Sequence, residues 1–332
     1  MIKYSFIIPV YNRPQEILEL LESMVTLAYD KPFEIVIIED GSTEDSKKCV
    51  AYFREQLNIS YYQKQNTGPG DSRNYGMKRA KGEYFIILDS DVILPNNYLN
   101  AVDQYLSRTF VHCFGGPDDA HTKFSNLQKA ISFSMTSYLT TGGIRGKRGA
   151  IDKFQPRSFN MGLSKEAFNA TGGFGDIHPG EDPDLTIRLW NLGFETALIE
   201  EAKVFHKRRI SWRKFYIQVN KFGLVRPILN SWHPKTAKLT YWFPSVFIIG
   251  MIASIVLAFF AIWLPLIVLS MYFLVLFISA VFAYSSIAIA SMSMLAVFIQ
   301  FYGYGSGFLK SYYYIHLLKR NPKKQFKKLF FR

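Results

Sequence analysis

The sequence predicts an α/β domain with an open, mostly parallel sheet. An amphipathic interfacial helix and a helical membrane hairpin follow it. Three observations carry this reading. Strand-like and helix-like segments alternate over the first 110 residues, the signature of consecutive βα units. Residues 241–309 are mostly apolar and carry no formal charge, whereas one spanning helix needs about 20 apolar residues. The net charge of +13 is unevenly spread: residues 1–201 sum to −5, and 202–332 hold 18 Lys/Arg with no Asp or Glu.

The front elements follow in order. Tyr4–Val10 is a short apolar strand ended by the turn residues Asn12-Arg13-Pro14. Gln15–Ala28 places apolar residues at 17, 20, 21, 24, 25 and 28, which is helical spacing, and Pro14 suits a first helical turn. Glu34–Glu39 contains Ile35-Val36-Ile37-Ile38, a continuous run typical of a parallel strand covered on both faces. Thr43–Leu57 reads as a helix, Ile59–Gln63 as a strand, Gly70–Ala80 as a helix and Tyr84–Leu88 as another buried strand. Asn96–Leu106 is helical and Val111–Phe114 extended.

Beyond them, Phe124–Leu139 is a candidate helix and Thr140–Arg157 a long glycine- and arginine-rich loop. Loops of that length are usually functional or mobile. Phe159–Leu163 reads as a strand, Lys165–Ala170 and Pro183–Leu192 as helices, and Ala197–Glu200 and Lys203–Phe205 as short strands.

In the rear half, Trp212, Phe215, Tyr216, Val219 and Phe222 recur at helical spacing beside Arg213, Lys214 and Lys221. That aromatic, basic pattern predicts an interfacial helix. Phe243–Trp263 and Leu266–Tyr284 are candidate spans. Ile287–Phe308 is more polar and is expected to re-enter or lie on the membrane. The expected divisions are 1–208, 209–240, 241–309 and a basic tail at 310–332.

Composition excludes several classes. Hydrophobic content of 49% excludes disorder. Two cysteines exclude a disulfide scaffold, and Cys49 and Cys113 are expected to be buried thiols. No secretory leader is legible before Pro9. The two basic blocks flank the uncharged stretch, so their charge reads as membrane-surface charge rather than a nucleic-acid footprint. Basic residues favour the cytoplasmic face. An even number of crossings, with the front domain on that face of a cytoplasmic membrane, is therefore expected.

Ligands of open parallel sheets bind outside the carboxyl ends of the strands. The candidate residues cluster there. Asp89-Ser90-Asp91 follows a buried strand, and two carboxylates one residue apart suit a hard divalent cation that neutralises a diphosphate. Taken alone, such a triplet is more often a loop capping the next helix. Asp40-Gly41-Ser42 suits a base or ribose and equally a helix cap. Asn66–Gly70 places backbone N–H groups at a helix start, which suits an anion or is a plain turn; Arg73 lies one turn in. Glu181, Asp182 and Asp184 open another helix. The helix dipole stabilises such carboxylates, and one of them is a candidate general base. His206 ends a strand and is either structural or a metal ligand.

Taken together these segments resemble glycosyltransferase family 2, with the Rossmann-like GT-A nucleotide-sugar-binding fold. The resemblance runs from Phe6-Ile7-Ile8-Pro9-Val10-Tyr11-Asn12 through Glu39-Asp40-Gly41-Ser42, Arg73-Asn74, Ala80-Lys81-Gly82-Glu83-Tyr84 and Leu88-Asp89-Ser90-Asp91. It continues to Asn160-Met161-Gly162, Gly172-Gly173-Phe174 and Gly180-Glu181-Asp182. It implies that Pro9, Tyr11, Asn12, Asp40, Gly68, Arg73, Asp89 and Ser90 bind the nucleotide sugar, a uridine-linked one. It implies that Asp89, Asp91 and His206 hold Mg²⁺ or Mn²⁺, that Asp182 is the catalytic base, and that Glu181 shapes the acceptor site. Gln218, Lys221 and Phe222 form a loosened version of the Q-x-x-R-W interface motif of processive synthases. The rear half is similar to succinoglycan-type exopolysaccharide transferases. The implied activity is inverting transfer to a lipid-linked glycan at the membrane. A polyprenyl-phosphate hexosyltransferase and an inactive, tethered sugar-nucleotide-binding protein are the alternatives.

Overall fold

In the computed structural model the described residues are 3–119, 125–141, 153–206 and 211–331, the side chains of Asp119 and His206 excepted. The chain forms two compact units. The first holds residues 1–121, 148–207 and 330–332, and the second holds 122–147 and 208–329.

The first unit begins β1 (Tyr4–Val10), α1 (Pro14–Val25), β2 (Phe33–Asp40), α2 (Lys47–Phe53), β3 (Ile59–Lys64), α3 (Pro69–Met77), β4 (Tyr84–Leu88), β5 (Val92–Ile93), α4 (Tyr98–Arg108), β6 (Cys113–Gly115) and β7 (Asp118–Asp119). The helices α5 (Asn126–Thr136) and α6 (Tyr138–Thr141) group with the second unit. The first unit resumes with β8 (Asn160–Ser164), α7 (Lys165–Thr171), α8 (Glu181–Asn191), β9 (Thr196–Leu198) and β10 (Val204–His206).

The main sheet has the order β3-β2-β1-β4-β8-β6-β9. It is parallel except at β8, which runs antiparallel to β4 and β6. Alternate residues of the central strands feed two cores. Tyr4, Phe6, Ile8 and Val10 face Ile17, Leu20 and Leu21 of α1 and Leu99 and Val102 of α4. Ile7, Val36, Ile38, Phe85 and Ile87 join Met77 of α3 and Leu185 and Leu189 of α8. The strand order reverses between β1 and β4, the usual crevice position. β1 pairs with β4 only as far as Ile7↔Ile87, while its pairing with β2 continues to Val10↔Glu39. Pro9 has no N–H to give a ladder, and it lies beyond the β1–β4 pairing.

Several elements depart from the sequence expectation, among them β7 and the helix expected over Phe124–Leu139, which ends at Thr136 and is followed by a separate α6. The helix expected over Thr43–Leu57 starts only at Lys47. The Asn12 side chain takes the backbone N–H groups of Thr43 and Glu44, at 2.8 and 3.1 Å, and holds that stretch as a turn. The unpredicted β5 forms a second small sheet, β5-β10-β7; its two residues are too few to show periodicity. Both cysteines are free; Cys113 is buried as expected, but Cys49 is only half-buried.

The second unit contains α5, α6, α9 (Trp212–Trp232), α10 (Phe243–Phe259), α11 (Leu264–Tyr284) and α12 (Ile287–Tyr312). Among the described residues three helical stretches are long and apolar enough to cross a membrane: Leu239–Phe259, Leu264–Tyr284 and Ile287–Leu317. The third hydrophobic segment, expected to re-enter or lie on the membrane, lies within α12, one continuous helix of 26 residues. Its small and polar residues face protein instead of breaking the helix. A Cβ on Gly223 of α9 would stand 2.1 Å from the Tyr304 carbonyl oxygen, and one on Gly307 would stand 2.5 Å from that of Asn220. Small residues let the two backbones approach this closely. Ile131 and Met135 of α5 join Phe215, Val219 and Ala296 in one core.

Candidate active site

The candidate residues of the first unit gather at the carboxyl ends of β1, β2 and β4 and at the start of α8. Tyr11 follows β1 and is 51% exposed. Asn12 ties the loop after β1 to the loop after β2: it accepts from Thr43 and Glu44 and donates its own N–H to Ser42 Oγ at 2.8 Å. Asp40 is buried. Its Oδ1 accepts from the Thr67 N–H at 3.0 Å and from Lys64 at 2.7 Å, and its Oδ2 accepts from the Gly68 N–H at 3.0 Å. Two of the backbone donors that the sequence offered to an anion, those of Thr67 and Gly68, are therefore taken by the protein's own carboxylate.

Arg73 projects from α3 and is only 3% exposed. Its Nη2 reaches Asp89 Oδ1 at 2.8 Å and its Nη1 reaches Glu181 Oε1 at 3.1 Å. Its guanidinium carbon lies 5.2 Å from the centre of the Phe174 ring. Arg73 thus links the end of β4 to the start of α8 as a buried strut. Asp91 is paired with Arg13 at 2.5 Å, and Ser90 between the two aspartates is buried.

Glu181 and Asp182 are neighbours with different surroundings. Glu181 is buried and is held by Arg73 and by His178 Nδ1 at 2.8 Å. Burial alone would raise its carboxyl; His178 and Arg73 outweigh that and hold it down at about 2. Asp182 accepts one bond, from the Ser158 N–H at 3.1 Å. Its Oδ1 is shielded from solvent and has no hydrogen-bond partner among the described residues. Burial, and then the charge of Glu181, push Asp182 up to about 6. A half-buried carboxylate of raised affinity for protons, with one shielded oxygen unengaged among the described residues, has the character of a general base.

Among the described residues no group of three or more His, Cys, Asp and Glu is placed to hold a metal ion. The chemistry of the donor set still fits a hard divalent cation at Asp89 and Asp91, which offer carboxylate oxygens from two positions one residue apart. The expected third ligand, the His206 side chain, lies outside the described residues. The backbone register sets His206 opposite Val92, the residue after Asp91.

Gln218, Lys221 and Phe222 lie in α9 of the second unit. All three are half-buried, and Phe222 packs against the core formed by Phe215 and Val219. The sequence reading missed Lys64, Ser158 and His178, and gave Arg13 and Phe174, though both stand in quoted motifs, no part in the site. Of the three missed residues, His178 lies near a motif, three residues before Glu181.

Comparison with known proteins agrees with this architecture. The family model for glycosyl transferase family 2 matches residues 5–170. Glycosyltransferase GlyG of Streptococcus pneumoniae is 31% identical over 235 residues, covering 65% of this chain and 77% of GlyG. An uncharacterized glycosyltransferase of Rickettsia bellii is 39% identical over 135 residues, or 40% of this chain. The chain spans only 19% of that relative's length. The poly(ribitol-phosphate) beta-N-acetylglucosaminyltransferase TarS of Staphylococcus aureus is 38% identical over 94 residues, 27% of this chain and 16% of TarS. Among solved structures, the mannosyltransferase PcManGT of Pyrobaculum calidifontis, in complex with GDP-Man and Mn²⁺, superposes with a TM-score of 0.56. The identity is 16%, over 96% of this chain and 88% of that one, so the likeness is one of fold. The first unit has the GT-A fold, a long-range pairing of β1, β4 and α8 that brings separate motifs into one crevice, and the chain belongs to glycosyltransferase family 2.

Proposed function

We propose that the chain transfers a sugar, with inversion, from a nucleotide sugar to a hydroxyl of a lipid-linked glycan. The observation that carries this reading is Asp182: a shielded carboxylate with an unengaged oxygen, adjacent to an acid that Arg73 and His178 keep ionised. Asp182 takes the proton of the acceptor hydroxyl as that oxygen attacks C1. Base assistance of this kind is worth about 10²–10⁴ in rate. Arg73 fixes Asp89 relative to the helix that carries the base. Asp40 shapes the loop over 66–68 that lines the nucleotide side, and Tyr11 offers its ring to the base. Asp89 and Asp91 are the residues that would hold Mg²⁺ or Mn²⁺, which when bound neutralises charge on the diphosphate leaving group.

Donors linked to UDP and to GDP both belong to the test, since the similar proteins named above include an N-acetylglucosaminyltransferase and a mannosyltransferase in complex with GDP-Man. Detergent-purified protein is screened with UDP- and GDP-linked sugars for nucleotide release, with and without a polyprenyl-diphosphate glycan. Release that depends on acceptor and is lost in Asp182→Asn supports the reading. Nucleotide release that ignores Asp182 refutes the base assignment.

The three long apolar helices support a multi-pass membrane protein with the first unit on the cytoplasmic face. The basic blocks at 202–240 and 310–332 both favour that face, which supports two complete crossings, by α10 and α11, with α12 re-entering or lying on the membrane. Single cysteines at Ala261 and Lys319, probed with an impermeant maleimide in intact cells, test this. Labelling at Ala261 alone is expected; labelling at Lys319 would overturn it.

A further inference from the structure

The segment at 330–331 belongs to the first unit although the rest of residues 208–329 does not. Phe330 forms an antiparallel bridge with Ile177, and the Phe331 N–H donates to the Asp176 carbonyl at 3.0 Å. The Phe331 ring lies 5.9 Å, centre to centre, from the His178 ring. On its other side the ring covers Gly68, where a Cβ would stand 2.3 Å from Phe331 Cγ. Gly68 also has φ +90°, so the position suits glycine twice over. One ring therefore sits between the loop that starts α3 and the loop that leads into α8.

We propose that Phe331 is a positioning residue that braces residues 176–180, and through His178 sets Glu181 and Asp182 for the reaction. The inference rests on the base assignment made above. The loop is pinned at its root, where Asn74 Nδ2 donates to the Phe174 carbonyl and Asn74 Oδ1 accepts the Phe174 N–H, both at 2.8 Å. Beyond that root, the bonds from 330–331 are the next backbone ties on the segment. They fall on Asp176 and Ile177, directly before His178, which makes its 2.8 Å bond to Glu181. A ring that fills the gap against Gly68 limits how far His178 and the first turn of α8 can shift. Misplacement of a reacting group by about 1 Å costs on the order of 10²-fold in rate.

The full chain in detergent carries the test, as Phe331→Ala, Phe331→Tyr and Asp182→Asn. Phe331→Ala is expected to lower kcat by roughly 10- to 100-fold with donor KM little changed. Phe331→Tyr keeps the ring and should restore most of the rate. Amide hydrogen exchange over 174–182 should quicken in Phe331→Ala and stay slow in Phe331→Tyr. Three results would overturn the proposal: unchanged kcat with unchanged exchange, a rise in kcat (the ring then obstructs the site), or a rise in donor KM alone (the ring then touches the nucleotide). Full activity of Asp182→Asn would instead sink the base assignment, and quickened exchange in Phe331→Ala would still show the brace.

Discussion

Arg73→Met tests whether Arg73 is a strut or a nucleotide contact. In the structure its guanidinium serves two acids of unequal burial. The Glu181 side chain is 5% exposed and that of Asp89 is 34% exposed. Removing one partner of a buried ion pair costs about 3–5 kcal/mol, because the other charge stays buried. His178 remains on Glu181 at 2.8 Å, which argues for the low end. Asp89 reaches water and adds little, about 0–1 kcal/mol after screening. A loss of about 3 kcal/mol lowers Tm by roughly 6–12 °C for a unit of this size. The sign with pH follows from Glu181, whose folded value is held below its ordinary 4.5. Its stabilisation is present above that ordinary value and fades as pH falls towards about 2. The gap between wild type and Arg73→Met should therefore be full at neutral pH and narrow below about 4.5. Trp190 is the single tryptophan of the first unit. Its fluorescence, in a background where the other four of the five tryptophans are replaced, reports unfolding of that unit alone. A variant that melts like wild type without donor, and shows only a raised donor KM, would refute the strut.

Three further outcomes are expected. Asp182→Asn should retain donor binding and lose about 10²–10⁴ in transfer, while wild-type kcat rises with pH through about 6. The fold holds Asp182 above its ordinary 3.8, so wild-type stability declines as pH climbs from there through about 6. Asp182→Asn should then melt higher than wild type at pH ~7.5, and a lower melting point with normal turnover would contradict both statements. Chelation with EDTA should stop transfer, with Mn²⁺ or Mg²⁺ restoring it and Asp91→Asn demanding more cation; undiminished turnover in EDTA would remove the cation from the mechanism. Gly223→Val drives a side chain into the Tyr304 carbonyl, 2.1 Å from its Cβ position, and should cost about 1–3 kcal/mol or more. Gly250 faces open space, so Gly250→Val should be neutral, and equal losses at the two sites would disprove the close α9–α12 crossing.

The parts of this fold that show in the sequence are those with local causes. Ile35–Ile38 must be a covered strand because four apolar residues in a row have no solvent face. Ile17, Leu20, Leu21 and Met24 must share a helix face because their spacing allows no other common surface, and all four are buried. Motif positions were legible for the same reason, since Asp89 and Asp91 need only a strand before them. What could not be read depends on long-range pairing. Nothing near Asp40 in sequence shows that Thr67 and Gly68 will consume its oxygens. Nothing near Arg73 shows that it will be buried between residues 89 and 181 rather than point at a ligand. Ile287–Phe308 reads as the most polar of the three hydrophobic segments because of its serines and glycines. Inside a helix bundle the same residues are what permit α9 to approach.

The contrast between Glu181 and Asp182 shows how the fold makes two roles from one repeated acid. In sequence they are adjacent carboxylates at a helix start, equally favoured by its dipole. Successive side chains on a helix leave in directions about a quarter-turn apart. One direction meets Arg73 and His178, and the other takes the Ser158 N–H and lies within reach of the charges of Arg73 and Arg157. Arg73 places its two Nη atoms on Asp89 and Glu181, so neither of those hydrogen bonds falls to Asp182. The ionised Glu181 then acts on its neighbour: a like charge beside a buried carboxylate raises its proton affinity. Arg73 itself pulls Asp182 down, as do Arg157 and the Ser158 N–H, so the rise to about 6 is what burial and the charge of Glu181 leave after those groups have acted. In the proposed reaction, Arg73 and His178 favour Asp182 as the base by holding the adjacent acid in their own bonds.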